Sequence, residues 1–242
     1  MPSPGRTPTG SPARRARAER ILDAAAELLR QHGYRRVSID DVAAAAGVGK
    51  GTIYLHWKTR EALFWAALQR ETMRLLDDLA DQLSRDATLA LPHRLMPAIF
   101  LEVQRRPLVK AVLLSDGEVL GALAADDSVA AAQRELAGNA DYLDLLARHG
   151  LLRAGLTPAA AGHVLGSVMR GFFATQDADG QDGQDPALPA DQRADLLADV
   201  LARTLETGEP APADATAALS AEVIGLFRGI TAVQRAQLER AY

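Results

Sequence analysis

The chain has 242 residues, 48 % hydrophobic and 24 % charged, which are the proportions of a soluble globular protein with room for a sizeable core. It holds no cysteine, which excludes disulfides, thiolate metal sites and a cysteine nucleophile and suits a reducing compartment. The net charge of −4 hides an asymmetry: residues 1–60 carry 11 Lys and Arg against 5 Asp and Glu, and the remainder 16 against 26. One end therefore suits a polyanion and the rest does not.

Residues 1–16, "MPSPGRTPTGSPARRA", are too rich in Pro, Gly, Ser, Thr and Arg to bury much apolar surface, and read as a flexible basic arm. Arg14, Arg15 and Arg17 are either solvated charge or contacts to a minor groove or backbone. The arm lacks the apolar centre of a signal peptide, and no later apolar run nears the ~20 residues of a membrane span, so a cytoplasmic address is expected.

From Arg17 the spacing of Ile21, Leu22, Ala25, Leu28 and Leu29 predicts a first helix, closed by Gly33 as a left-handed cap. Ser38 and Asp41, three apart, can each satisfy an open amide at the start of a second helix that runs to Ala46. Gly47-Val48-Gly49 leaves room only for a turn, and "KGTIYLHW" for about two helical turns. Two short helices about a glycine turn suggest a helix-turn-helix, with Ala43 allowing a close crossing and Val48 and Ile53 plugging the space beneath.

In such a motif the leading turn of the second helix points into the DNA major groove. Lys50 can donate to guanine O6 and N7, Gly51 lets backbone approach closely, and Thr52 can bond a base edge or press its methyl on thymine. Tyr54, His56, Lys58 and Arg60 suit phosphates, through a hydroxyl, an imidazole and two cations. Trp57 reads as a core aromatic.

At this point the sequence resembles the TetR-like transcriptional regulators. "AGVGKGTIYLHWKTREAL" follows that family's DNA-binding motif, and "RILDAAAELLRQHGYRRVSIDDVA" its first two helices, so that Arg17 to about Leu68 carry the likeness. The resemblance implies that Ser38 caps the second helix and touches a phosphate, that Lys50 and Gly51 face bases, and that Tyr54 and His56 grip phosphates. Gly49 stands for the usual serine, Trp57 for phenylalanine and Arg60 for lysine. A glycine cap costs only tenths of a kcal/mol, while arginine keeps the charge and alters its geometry.

Beyond Thr59, read as a cap, "REALFWAALQRETMRLLDDLADQL" keeps helical spacing as one long helix, placed to transmit displacement between the motif and the acidic body. Further helices are expected near Leu108–Ala124, Ser128–His149, Pro158–Thr175, Asp191–Thr207 and Ala213–Arg240. Another starts near Leu95, because Pro92 and Pro97 disturb what precedes it. Residues 177–192 read as an acidic loop. No strand pair is evident. The expected architecture is all-α: a helix-turn-helix DNA-binding domain at residues 17–60, then a helical ligand-binding and dimerisation domain at 61–242.

Helix-turn-helix proteins gain affinity by pairing on a pseudo-palindrome with half-sites ~34 Å apart, so a homodimer on double-stranded DNA is expected. The resemblance implies pairing through a four-helix bundle, with Val164, Leu165, Val168 and Phe172 as the candidate contacts; an intramolecular core is the other reading of that stripe. It also implies a pocket for a small apolar effector, for which Leu75, Met96, Phe100, Tyr142 and Met169 are candidates by their Met and aromatic character. A different class stays open: a dimeric DNA-binding or co-regulatory factor whose body binds a protein partner and no small molecule. No catalytic residue, cofactor or metal is expected. His32, His56, His93, His149 and His163 have no metal-ligand spacing, no hydrolase or phosphate-loop motif occurs, and Asp116, Glu118, Asp126 and Asp127 read as a solvated face.

Overall fold

A computed structural model describes residues 12–114, 116–125, 140–178 and 188–240. In chain order the helices are α1 (Pro12–Arg36), α2 (Ile39–Ala46), α3 (Lys50–His56), α4 (Arg60–Arg85), α5 (Pro92–Gln104), α6 (Pro107–Leu114), α7 (Gly117–Leu120), α8 (Ala140–Arg148), α9 (Pro158–Ala178), α10 (Ala190–Leu205) and α11 (Ala213–Glu239). Tight helical turns at Ala87–Ala90 and Gly121–Ala125 join α4 to α5 and extend α7. Among the described residues the only extended pairing is one antiparallel bridge, Leu152 to Glu206.

The helix starts follow local chemistry. Thr59 caps α4 by accepting from the Ala62 amide at 3.0 Å, and Pro92 opens α5 at a position where its missing N–H costs nothing. The helix expected from Leu95 therefore begins three residues earlier and runs on through Pro97. α1 likewise begins at Pro12, so residues 12–16, read as part of the arm, are helical; the rest of the arm lies outside the described residues. Gly33, at φ 70° and ψ 168°, interrupts α1 where a cap was expected. The helix expected from Leu108 to Ala124 is broken after Leu114, between α6 and α7, and again after Leu120, where Gly121 at φ +54° cannot continue a right-handed helix. Much of the helix expected from Ser128, and Asp126 and Asp127, lie outside the described residues.

α4 is the spine, and at 26 residues it spans about 39 Å. Leu63, Phe64, Ala67 and Leu68 on its first half join α1, α2 and α3 in one apolar cluster, which continues to Met73 and takes in Leu108, Val112, Leu120, Leu123 and Leu238. Leu75, Leu79 and Leu83 on its second half join α5, α8, α9, α10 and α11 in another. Arg70, 5 % exposed, ties α4 to α1 by donating to Glu19 (3.0 Å) and Asp23 (2.7 Å).

α11 corrects the expectation that no run approaches a membrane span: by length and composition it is able to cross one, with a mean hydropathy of 1.3 in its most apolar window. In this fold it lies along α4. The Ser220 hydroxyl donates to the Leu83 carbonyl at 3.2 Å, Arg235 pairs with Asp77 at 2.8 Å, and Glu239 reaches Arg15 of α1 at 3.2 Å.

Candidate nucleic-acid interface

The helix-turn-helix is built by its caps. Ser38 and Asp41 form the reciprocal box: the Ser38 hydroxyl accepts from the Asp41 amide (3.2 Å) and donates to Asp41 Oδ2 (2.7 Å), which also accepts from the Ser38 amide (2.8 Å). Those bonds hold the Asp41 carboxyl below its ordinary pKa. Gly47 ends α2 in the left-handed region at φ 64°, and its amide turns back to the carbonyls of Ala43 and Ala44. Gly49 starts α3 without a side-chain cap. Ala43, Ile53 and Trp57 are buried beneath, and Val48 packs against them half-buried.

That burial fixes which side of α3 faces out. With Ile53, His56 and Trp57 turned inward, the helical repeat leaves Lys50 and Tyr54 on one outward line and Gly51 and Leu55 on the next. A side chain at Gly51 would meet nothing within 4 Å. Tyr54 is 38 % exposed and Leu55 68 % exposed. Leu55 escaped the sequence reading, although its place one turn beyond Gly51 is a signal that could have found it. Thr52 is half-buried, and Lys58, exposed, reaches back to the Tyr54 carbonyl at 3.4 Å.

Several side chains stand differently from expectation. Lys50 is paired with Asp40 of α2 at 2.8 Å, which raises its pKa above the ordinary lysine value. Ser38 does stand as expected, with its hydroxyl in the cap of α2. The His56 ring is 7 % exposed and tilted against Trp57 at 5.3 Å, not spread on the surface like Tyr54. Arg60 turns inward: its guanidinium donates to the carbonyls of Val37 (2.9 Å) and Tyr34 and lies over the Tyr34 ring at 4.0 Å. It straps α4 to the segment before α2. The Tyr34 hydroxyl donates to Glu61 at 2.7 Å; burial and that bond push the phenol up to about 12, while the bond draws Glu61 down.

The sequence pattern of bacterial regulatory proteins of the tetR family matches residues 21–67, which are α1 to α4 of this scaffold. Over residues 21–67 this chain is similar to the tetR family. An uncharacterized HTH-type transcriptional regulator of Mycobacterium tuberculosis is 43 % identical over 58 residues, covering 24 % of this chain and 29 % of that protein. The fatty acid metabolism regulator protein of Bacillus subtilis is 28 % identical over 75 residues, covering 31 % and 39 %. The chain thus matches well under half the length of either. In fold the likeness runs further. The crystal structure of FadR from Bacillus subtilis in complex with stearoyl-CoA superposes with a TM-score of 0.54 at 18 % identity, covering 76 % of this chain and 96 % of that one. A Rhodococcus structure assigned to the TetR family reaches 0.60 at 21 %, covering 78 % and 98 %.

Behind the tetR-family segment, the candidate pocket residues come together in the second apolar cluster. Leu75, Met96, Phe100 and Tyr142 are buried there, and Met169 packs half-buried against them. Tyr142 spends its hydroxyl on the Ala90 carbonyl at 2.8 Å, and Phe100 is enclosed by Phe172 and Phe173. Three surface clefts, of about 180, 360 and 410 Å³, flank α1 and take none of these five side chains. Of the candidate pairing residues, Leu165 is fully buried in this same cluster and faces the body's own core. Val164, Val168 and Phe172 remain half-buried on α9.

Proposed function

We propose that this chain is a transcriptional repressor, not an enzyme, that works in the cytoplasm as a homodimer on a pseudo-palindromic operator and is released by a small apolar ligand. The observation that carries the DNA-binding half is the outward line of α3: Lys50, Gly51 and Tyr54 face solvent on a capped helix-turn-helix whose sequence matches the tetR family. Lys50 and Gly51 meet base edges, with Thr52 beside them, and Tyr54 and Lys58 meet phosphates. Ser38 and the edge of His56 adjoin the backbone. Arg60 acts from behind, as a strap.

The effector half is supported by chemistry: the Leu75, Met96, Phe100, Tyr142 and Met169 cluster is apolar and adaptable, and FadR, whose fold this chain shares, holds stearoyl-CoA. Leu75, Met96 and Phe100 are each at most 4 % exposed. That closure favours the second reading, a dimeric DNA-binding factor whose body binds a protein partner. Thermal shift with saturated acyl chains of increasing length separates the two.

Selection from a random DNA pool tests the DNA-binding reading, because the recovered site reports symmetry and spacing together. Tyr54→Ala should weaken binding to every selected fragment by roughly tenfold, and affinity should fall steeply with salt in proportion to the phosphates neutralised. Unchanged affinity in Tyr54→Ala, or a flat salt profile, would contradict the interface.

A further inference from the structure

Tyr34 lies where the DNA-binding module meets the body. Gly33, at φ 70°, kinks α1, and Tyr34 beyond the kink comes to rest 5 % exposed. From the first turns of α4, the Arg60 guanidinium covers the ring at 4.0 Å, Phe64 meets it edge-on at 5.6 Å, and Glu61 takes its hydroxyl at 2.7 Å. On the body's side lies Gly121. A Cβ built on that glycine would stand 2.9 Å from Tyr34 Cγ and nearer still to Cδ1. Its φ of +54° also disfavours any side chain, so space and backbone both demand glycine. Leu120 and Leu123, on either side, drop into the module's own apolar cluster.

We propose that Tyr34 is a positioning residue and Gly121 its seat: ring against bare backbone fixes how the module sits on the body, and with it the direction in which α3 points. The route to α3 is short. Arg60, stacked on the Tyr34 ring, also donates to the carbonyls of Tyr34 and Val37, and Val37 adjoins the Ser38 cap. A displaced ring therefore moves the start of α2, against which α3 is packed. The consequence for DNA rests on the DNA-binding reading; the seat itself does not.

Hydrogen exchange in the full-length protein, followed over peptides spanning residues 39–56, tests the seat directly. Gly121→Ala should speed exchange there about fivefold, with helix content by circular dichroism unchanged. Tyr34→Leu, which removes the ring, should do the same. Placed in the Tyr34→Leu background, Gly121→Ala should add about twofold rather than fivefold, because the rigid ring its Cβ strikes is gone while the backbone penalty at φ +54° remains. On a fragment selected by the wild-type protein, each single variant should bind about tenfold more weakly by fluorescence anisotropy. Exchange within about twofold of wild type in both single variants, or effects that multiply in the double variant, overturns the seat. Should Gly121→Ala fail to fold, Tyr34→Leu decides by the same exchange threshold. A wild-type protein that selects no DNA overturns the regulator reading, and the exchange measurements then decide the seat alone.

Discussion

Lys50 has a partner within the protein and, on the DNA-binding reading, a second one outside it. In the free protein it spends its ammonium on Asp40 at 2.8 Å, with both side chains at least half exposed; such a pair is worth little in water. On the DNA-binding reading, moving to a guanine edge would break that pair and leave a carboxylate near the phosphates. Asp40→Asn should therefore raise affinity for a selected DNA fragment by about threefold at low salt, with the gain shrinking as salt rises. Weaker binding in a salt titration by anisotropy would show instead that Asp40 aims the lysine. Tyr34 makes a second prediction, set by pH. Its phenol ionises near 10 in an unfolded chain and near 12 in place. Between those values the unfolded state has lost the proton and the native state has kept it, so this contribution to stability is complete below pH 10 and is lost as pH rises to 12. The melting temperature of the wild type should fall more over that window than that of Tyr34→Phe. Parallel curves would remove the linkage.

Capping decides how well α2, only eight residues long, holds the motif. Short helices gain little from propensity, so the Ser38–Asp41 box carries a large share of its local order. Ser38→Ala should cost about 1 kcal/mol in urea unfolding, and a loss below a few tenths would mean that packing alone suffices. This box was legible in the sequence because it depends on two residues three apart, as were the turn at Gly47 and the cap at Thr59, whereas Gly33 marks a kink inside α1 and not its left-handed end. Other features were not. The inward turn of Arg60 depends on carbonyls 23 and 26 residues away, and the break at Gly121 on a ring 87 positions earlier, partners that periodicity cannot reveal. The exposure of Leu55 was readable in principle from its register with Gly51, yet an apolar residue in a helix is ordinarily assigned inward.

Over the whole molecule, the all-α architecture and the long α4 were legible from spacing alone, whereas the assignment of apolar stripes to inner or outer surfaces was not. Val164, Leu165, Val168 and Phe172 read as one stripe, but Leu165 points into the body and its neighbours lie half-open. The two kinds of position predict opposite failures. Val168→Arg should halve the mass seen in sedimentation equilibrium while leaving the helices intact. Leu165→Arg should unfold the body, because a charge there has no partner and no water. A Val168→Arg protein that still pairs would move the interface elsewhere.

Leu238 gives the fold a consequence in time. The apolar cluster under the helix-turn-helix includes this side chain from the last turns of α11, separated in sequence by 165 residues from Met73. On a ribosome making roughly 5–20 residues per second, that separation is a wait of about 10–30 seconds. During that interval the nascent N-terminal helices gain their cluster neighbours at residues 108–123 and still lack Leu238, so the newborn chain completes the support of its helix-turn-helix late in synthesis rather than first.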